Sequence, residues 1–160
     1  MTKDNLQTSA QKVQRKLSEL GVSFEVIELE SSTRTASEAA DAIGCDVAQI
    51  AKSLIFRTQD SNRPILIIVS GINRVNEKTI KNILGEKIKK ADADFVREQT
   101  GFVIGGIPPV GHVQNIQTFI DKDLLNHQVV WAAAGTPHAV FRLSPRELVS
   151  ISGGSVIDIS

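Results

Sequence analysis

The sequence holds one cysteine, three histidines, no excess of either charge and no long apolar run, and each shortage removes a class of protein. A single thiol, Cys45, cannot close an internal disulfide, and so few histidines argue against a structural zinc site. Lysine plus arginine and aspartate plus glutamate number 18 each, so the formal charge is zero. That excludes an arginine-rich arm and a globally basic DNA-binding protein, though not a local basic groove. No uninterrupted apolar stretch approaches the ~18 residues of a membrane span, and Met1-Thr2-Lys3-Asp4-Asn5 lacks the apolar core of a signal peptide. With 11 glycines, 5 prolines and 41% apolar content, collagen-like and disordered classes are excluded too. The expectation is a soluble, cytoplasmic protein folding as one domain over residues 1–160, with no metal or other cofactor implied and neither DNA nor membrane as partner.

What is present reads as interspersed helices and strands. Leu6, Ala10, Val13, Leu17 and Leu20 recur at helical spacing, and Gly21 suits the stop. Val22 to Leu29 reads as a strand with Phe24, Val26 and Glu28 on one side. Thr35-Ala36-Ser37-Glu38, Asp46-Val47-Ala48-Gln49 and Ser144-Pro145-Arg146-Glu147 carry the capping-box pattern of helix starts. Ile50 to Phe56 ends rich in β-formers, and Ile65-Leu66-Ile67-Ile68-Val69 has the continuous apolar character of a strand buried on both faces. Asn76 and Asp92 can cap two further helices, with Lys87 to Lys90 a short strand between them. Ile116 to Ile120, Gln128 to Ala134 and Ala139 to Leu143 complete the strands. A regular βαβ rhythm is absent, so the expected class is α+β, a mixed sheet with flanking helices.

Four features stand out chemically. Lys52 shares the alternating face of Leu54 and Phe56, where a charge either snorkels to water or serves a function. Gly105-Gly106-Ile107-Pro108-Pro109-Val110-Gly111-His112 combines backbone accessibility with rigidity, which suits either oxyanion-hole donors or a tight structural turn. It lacks the Gly-Lys-Ser/Thr of a P-loop and the glycine spacing of a dinucleotide fingerprint. Gly135-Thr136-Pro137-His138 follows three alanines that leave room for a pocket floor or for close packing. Lys78, Lys81, Lys87, Lys89 and Lys90 are interleaved with acids and read as a solvated face. No Gly-x-Ser-x-Gly elbow supports a serine triad.

Three of these segments, in order, carry a family resemblance. Ala39-Ala40 with Gln49-Ile50-Ala51-Lys52-Ser53-Leu54-Ile55-Phe56, Thr100-Gly101-Phe102 with Gly105 to His112, and Ala134-Gly135-Thr136-Pro137-His138-Ala139-Val140-Phe141 resemble the YbaK/EbsC family. Its members are free-standing relatives of the editing domain inserted in bacterial prolyl-tRNA synthetases. The resemblance implies a mixed, partly barrel-like sheet. It also implies hydrolysis of the ester joining a wrong amino acid to the 3′ end of a tRNA, with tRNA-Pro-like substrates expected. The implied partners are the aminoacyl-tRNA 3′ end and an aminoacyl-tRNA synthetase. The family's lysine falls on Lys52, its Gly-x-x-x-Pro loop on Gly105 and Pro109, and its pocket histidine on His138; with Gly106 from the same loop, Lys52, Gly105 and His138 are the expected catalytic residues. Ser53, Ile107, Pro109, Gly111, His112, Gly135 and Thr136 fall on or beside the positions expected to bind substrate. A non-catalytic module that binds nucleotides or tRNA ends remains the alternative.

With no arginine beside the glycine loop in sequence, its backbone N–H groups are the expected donors to the oxyanion. Gly106→Val is then expected to fold and lose activity.

Overall fold

The computed structural model describes residues 8–160; Leu6 of the first helical face lies outside them. The helices are α1 (Thr8–Glu19), α2 (Ala36–Ile43), α3 (Glu77–Leu84), α4 (Ala93–Thr100) and α5 (Pro145–Ser152). The strands are β1 (Ile27–Glu28), β2 (Ile50–Thr58), β3 (Pro64–Ser70), β4 (Ile88–Lys90), β5 (Gln117–Asp121), β6 (Val130–Ala133), β7 (Ala139–Leu143) and β8 (Ser155–Ile157).

Local chemistry sets the helix boundaries. Thr35, Asn76, Asp92 and Ser144 each accept a bond from a first-turn backbone N–H, which satisfies a donor the helix itself cannot. Only Ser144 completes the reciprocal box with Glu147 among these. The pattern at Asp46 opens a single 3₁₀ turn, Val47–Gln49, with Gln49 Oε1 reaching back to the Asp46 N–H at 3.0 Å.

All eight strands join one mixed sheet in the order β1-β7-β6-β2-β3-β5-β8, with β4 as a branch on β2. β1 and β8 end the order without meeting, so the mixed sheet expected from the sequence is open rather than closed into a barrel. β3 is central, antiparallel to β2 and parallel to β5, and Ile65 to Val69 have no exposure at all. Its alternate side chains feed two cores: Leu66 and Ile68 pack with Val13 and Leu17 of α1, Ile65 and Ile67 with Ile80 of α3.

Two segments depart from the sequence reading. Val22 to Leu29 forms only the two-residue β1, because buried Gln14 replaces a partner strand. Its side chain donates to the Phe24 C=O and accepts from the Val26 N–H, both at 2.9 Å. β8 is the other: three residues after Gly153-Gly154 carry too little pattern to be read as a strand.

Candidate active site at the broken edge of β2

β2 is paired along its whole length on one edge and interrupted on the other. On the β3 side the register runs unbroken from Ala51↔Ser70 to Arg57↔Pro64. On the other side β6 pairs only with Ile50 and Ala51, and β4 only with Phe56 to Thr58. Between them lies a cavity of about 660 Å³. Its walls come from β6 (Trp131 to Ala133), the end of β4 with the residue after it (Lys90, Ala91), one side of α2 (Ala36, Ala39, Ile43) and the loop residues Ile104, Gly105 and Ile107.

Lys52 and Ser53 both line this cavity, on opposite faces of β2. Lys52 lies on the face of Leu54 and Phe56, as the alternation requires. Burial, with the nearby Arg74 guanidinium as the lesser cause, holds its ammonium pKa below the ordinary value. Ser53 lies on the face of Ala51 and Ile55, and its hydroxyl is buried with no hydrogen-bond partner.

The glycine loop divides. Gly105 and Ile107 line the cavity. Pro109, Gly111 and His112 line a separate groove with Lys12, Arg15 and Lys16 of α1. There His112 is half-buried, its Nε2 2.7 Å from the Pro108 C=O, and burial lowers its pKa. Gly105 is at the third position of a turn closed by Gly106 N–H to Val103 C=O at 3.0 Å; its φ of 87° is what a type II turn needs there.

Gly106 is buried, and its amide is used inside the turn by the bond to the Val103 C=O. A β-carbon on it would lie 2.7 Å from the Thr136 backbone. Gly135 in turn donates to the Gly106 C=O at 2.8 Å, and a β-carbon on Gly135 would meet the Ser9 C=O at 2.6 Å. Gly106, Gly135 and Thr136 therefore hold backbones in close contact outside the cavity lining. The Gly106 amide is thus taken within the turn, against the expectation that it serves the oxyanion, and a side chain at this position is expected to destabilise the fold. His138 is exposed on the surface, with Nδ1 3.2 Å from the Ser31 C=O, and is not part of the lining.

Residues 30–151 match the family model of the aminoacyl-tRNA editing domain. This chain belongs to that family. The editing domain is 35% identical over 136 residues to the uncharacterised protein YwhH of Bacillus subtilis, covering 84% of this chain and 86% of YwhH. It is 31% identical over 94 residues to the proline–tRNA ligase of Thermosipho melanesiensis, 58% of this chain but only 16% of the ligase. A crystal structure of a proposed trans-editing enzyme for prolyl-tRNA synthetase superposes with a TM-score of 0.91 at 44% identity, covering 98% of this chain and 99% of the other.

In this editing domain the cavity gathers cations that sequence distance conceals. Arg34, Arg74 and Lys90 line it with Lys52, against a single carboxylate, Glu77. Among the described residues none of the four has an ion-pair partner within reach. Arg34 lies against the glycine loop, where a β-carbon on Gly105 would be 2.8 Å from its Cγ, so the loop does have an arginine beside it. Arg74 follows Asn73, which is clamped by Asp121 at 2.9 Å and Asp123 at 2.7 Å. Buried Asp121 also accepts from the Ser70 N–H, which fixes the turn that carries Arg74. No local sequence pattern marks Arg34 or Arg74. Lys90, one of the lysines expected on a solvated face, is the one of them that reaches the cavity.

Proposed function

We propose that this editing domain is a free-standing deacylase that hydrolyses the ester between a mischarged amino acid and the 3′ adenosine of a tRNA. The observation that carries this reading is the half-buried Lys52, unpaired inside a cavity whose other charged lining is cationic but for Glu77. A cavity of about 660 Å³ is the right scale for an aminoacyl adenosine rather than a macromolecular surface. Its cations complement the phosphates of an incoming RNA end. Family membership and the likeness to a proposed trans-editing enzyme favour the same substrate class.

The cavity lining contains neither cysteine nor histidine; of its hydroxyls, that of Ser53 is buried, that of Thr33 donates to the Pro137 C=O at 2.9 Å and that of Thr35 caps α2. Water is therefore the nucleophile in this reading, and the protein's part is to place the ester and meet the charge that develops on its carbonyl oxygen. Lys52 supplies positive charge at low local polarity, where it acts more strongly than in water. Kinship with part of proline–tRNA ligases directs attention to tRNAs charged with the wrong amino acid on the proline acceptor.

A panel of mischarged tRNAs tests the reading. The parent chain is expected to release the amino acid from at least one of them. Lys52→Ala should keep its melting temperature and lose about 100-fold or more of that turnover, the usual effect of deleting one charge-stabilising group. Binding without turnover across the panel would leave the non-catalytic module in its place.

A further inference from the structure

The register of β2 fixes which backbone groups face the gap in its edge. The Gly71 N–H donates to the Ile50 C=O at 2.9 Å, and the Thr58 N–H to the Arg63 C=O at 3.0 Å. In an antiparallel pair these groups alternate, so the even-numbered residues of β2 turn their N–H and C=O to β3. The odd-numbered residues turn theirs the other way. Two bonds on that side agree: Gln59 N–H to Lys87 C=O at 2.8 Å and Ala91 N–H to Ile55 C=O at 3.4 Å. Ser53 is the odd-numbered residue between the end of the β6 pairing and the start of the β4 pairing. Its N–H and C=O therefore point into the cavity, with no strand opposite. Ser53 as a whole is partly exposed while its hydroxyl is not, so the exposed part is backbone and Cβ.

An interior strand with one residue's backbone left unpaired is costly unless something pairs with it, because backbone donors and acceptors are satisfied almost everywhere in folded proteins. The missing partner has a definite shape. It must donate to a C=O and accept from an N–H across a single Cα, as one residue of an antiparallel strand does. An aminoacyl ester has those two groups in that relation, the α-ammonium as donor and the ester carbonyl as acceptor. We propose that the aminoacyl group of the substrate adds to the sheet as a one-residue strand opposite Ser53, filling the gap between β6 and β4.

The proposal rests on the deacylase reading and adds to it in three ways. The α-ammonium, which the cationic lining would repel, finds its acceptor in the Ser53 C=O. The Ser53 N–H lies at the ester carbonyl and strengthens its bond as negative charge develops there, which supplies the donor that Gly106 does not. The amino acid side chain falls on the same face as that of Ser53, because directly opposed residues share a face. On that face the cavity is walled by Val96 and Ile107, both in the core cluster of Ala51 and Ile55. The handedness of the substrate is thereby read as well: a D-residue making the same two bonds turns its side chain to the face of Lys52.

Amide hydrogen exchange on the full chain, followed by NMR, tests this. The probes are an adenosine with its 3′-aminoacyl group joined by an amide in place of the ester, and the same compound without its α-amino group. In the free protein the Ser53 amide should exchange at least ~10-fold faster than those of Lys52 and Leu54, which are bonded to β3. The aminoacyl probe should slow Ser53 by ~10-fold or more, and the desamino probe should bind roughly 10-fold more weakly for want of one charge-assisted bond. Binding of the aminoacyl probe with the Ser53 amide unmoved in shift and exchange would overturn the pairing, as would equal affinity for both probes or no binding of either. Protection of Ser53 by the probe in a protein that leaves every mischarged tRNA intact would instead remove the deacylase reading and keep the pairing.

Discussion

At the scale of single residues, Lys52 shows how a charge is kept available. Its alternation with Leu54 and Phe56 places it on an apolar face, and the unbroken pairing with β3 keeps that face in register. The cost is a destabilised ammonium, through desolvation first and Arg74 second. Both causes disfavour the charged form, so Lys52 should lose its proton below the ordinary lysine value of 10.5. Relieving the lesser cause is the practical control. In a chain labelled at lysine Nζ, Arg74→Gln should move the Lys52 titration upward, towards but not reaching 10.5. A midpoint indifferent to Arg74 would leave burial as the sole cause.

At the scale of elements, the Gly101-to-His112 segment is two structures in one. Its first half turns tightly at Gly105 and walls the cavity; its second half lies against α1 around the other groove. The join is backbone on backbone, Gly106 against Thr136 and Gly135 against Ser9. A side chain has no room in that stack, and forcing one in is overpacking against main chain that cannot swing aside. Gly106→Val should therefore cost about 3 kcal/mol or more. For a chain of this size that lowers the melting temperature by roughly 10 °C in a thermal scan. Gly111→Ala is the contrast: its β-carbon would meet only the Lys16 side chain, at 3.6 Å, and the remaining cost is the φ of 84°. It should melt closer to the parent than Gly106→Val does.

At the scale of the molecule, zero net charge conceals a segregated distribution. Arg34, Arg74, Lys90 and Lys52 meet at the cavity from four separate segments, with Glu77 the one acid beside them in its lining. A neutral protein can then hold an RNA end without attracting nucleic acid in bulk. If three or four phosphates are met there, affinity for a tRNA 3′ end should fall with a log–log salt slope of roughly 2 to 3, at the single-strand value of about 0.7 per contact. The double variant Arg34→Gln with Arg74→Gln should flatten it by about 1.4. A slope that the double variant leaves unchanged would place the phosphates somewhere else.

The sequence by itself determined the local rules. Side-chain oxygens at Thr35, Asn76, Asp92 and Ser144 started helices because capping is a contact between near neighbours. The run from Ile65 to Val69 marked the central strand, and alternation placed Lys52 on its face. Motif order pointed to the family. Tertiary structure alone decided which residues meet across distance: Arg34 over Gly105, Arg74 beside Lys52, the Gly106–Thr136 contact, and the withdrawal of His138 and His112 from the cavity. It also decided the gap at Ser53, because whether a strand edge is paired depends on where its neighbours start and stop, and no residue's own chemistry records that.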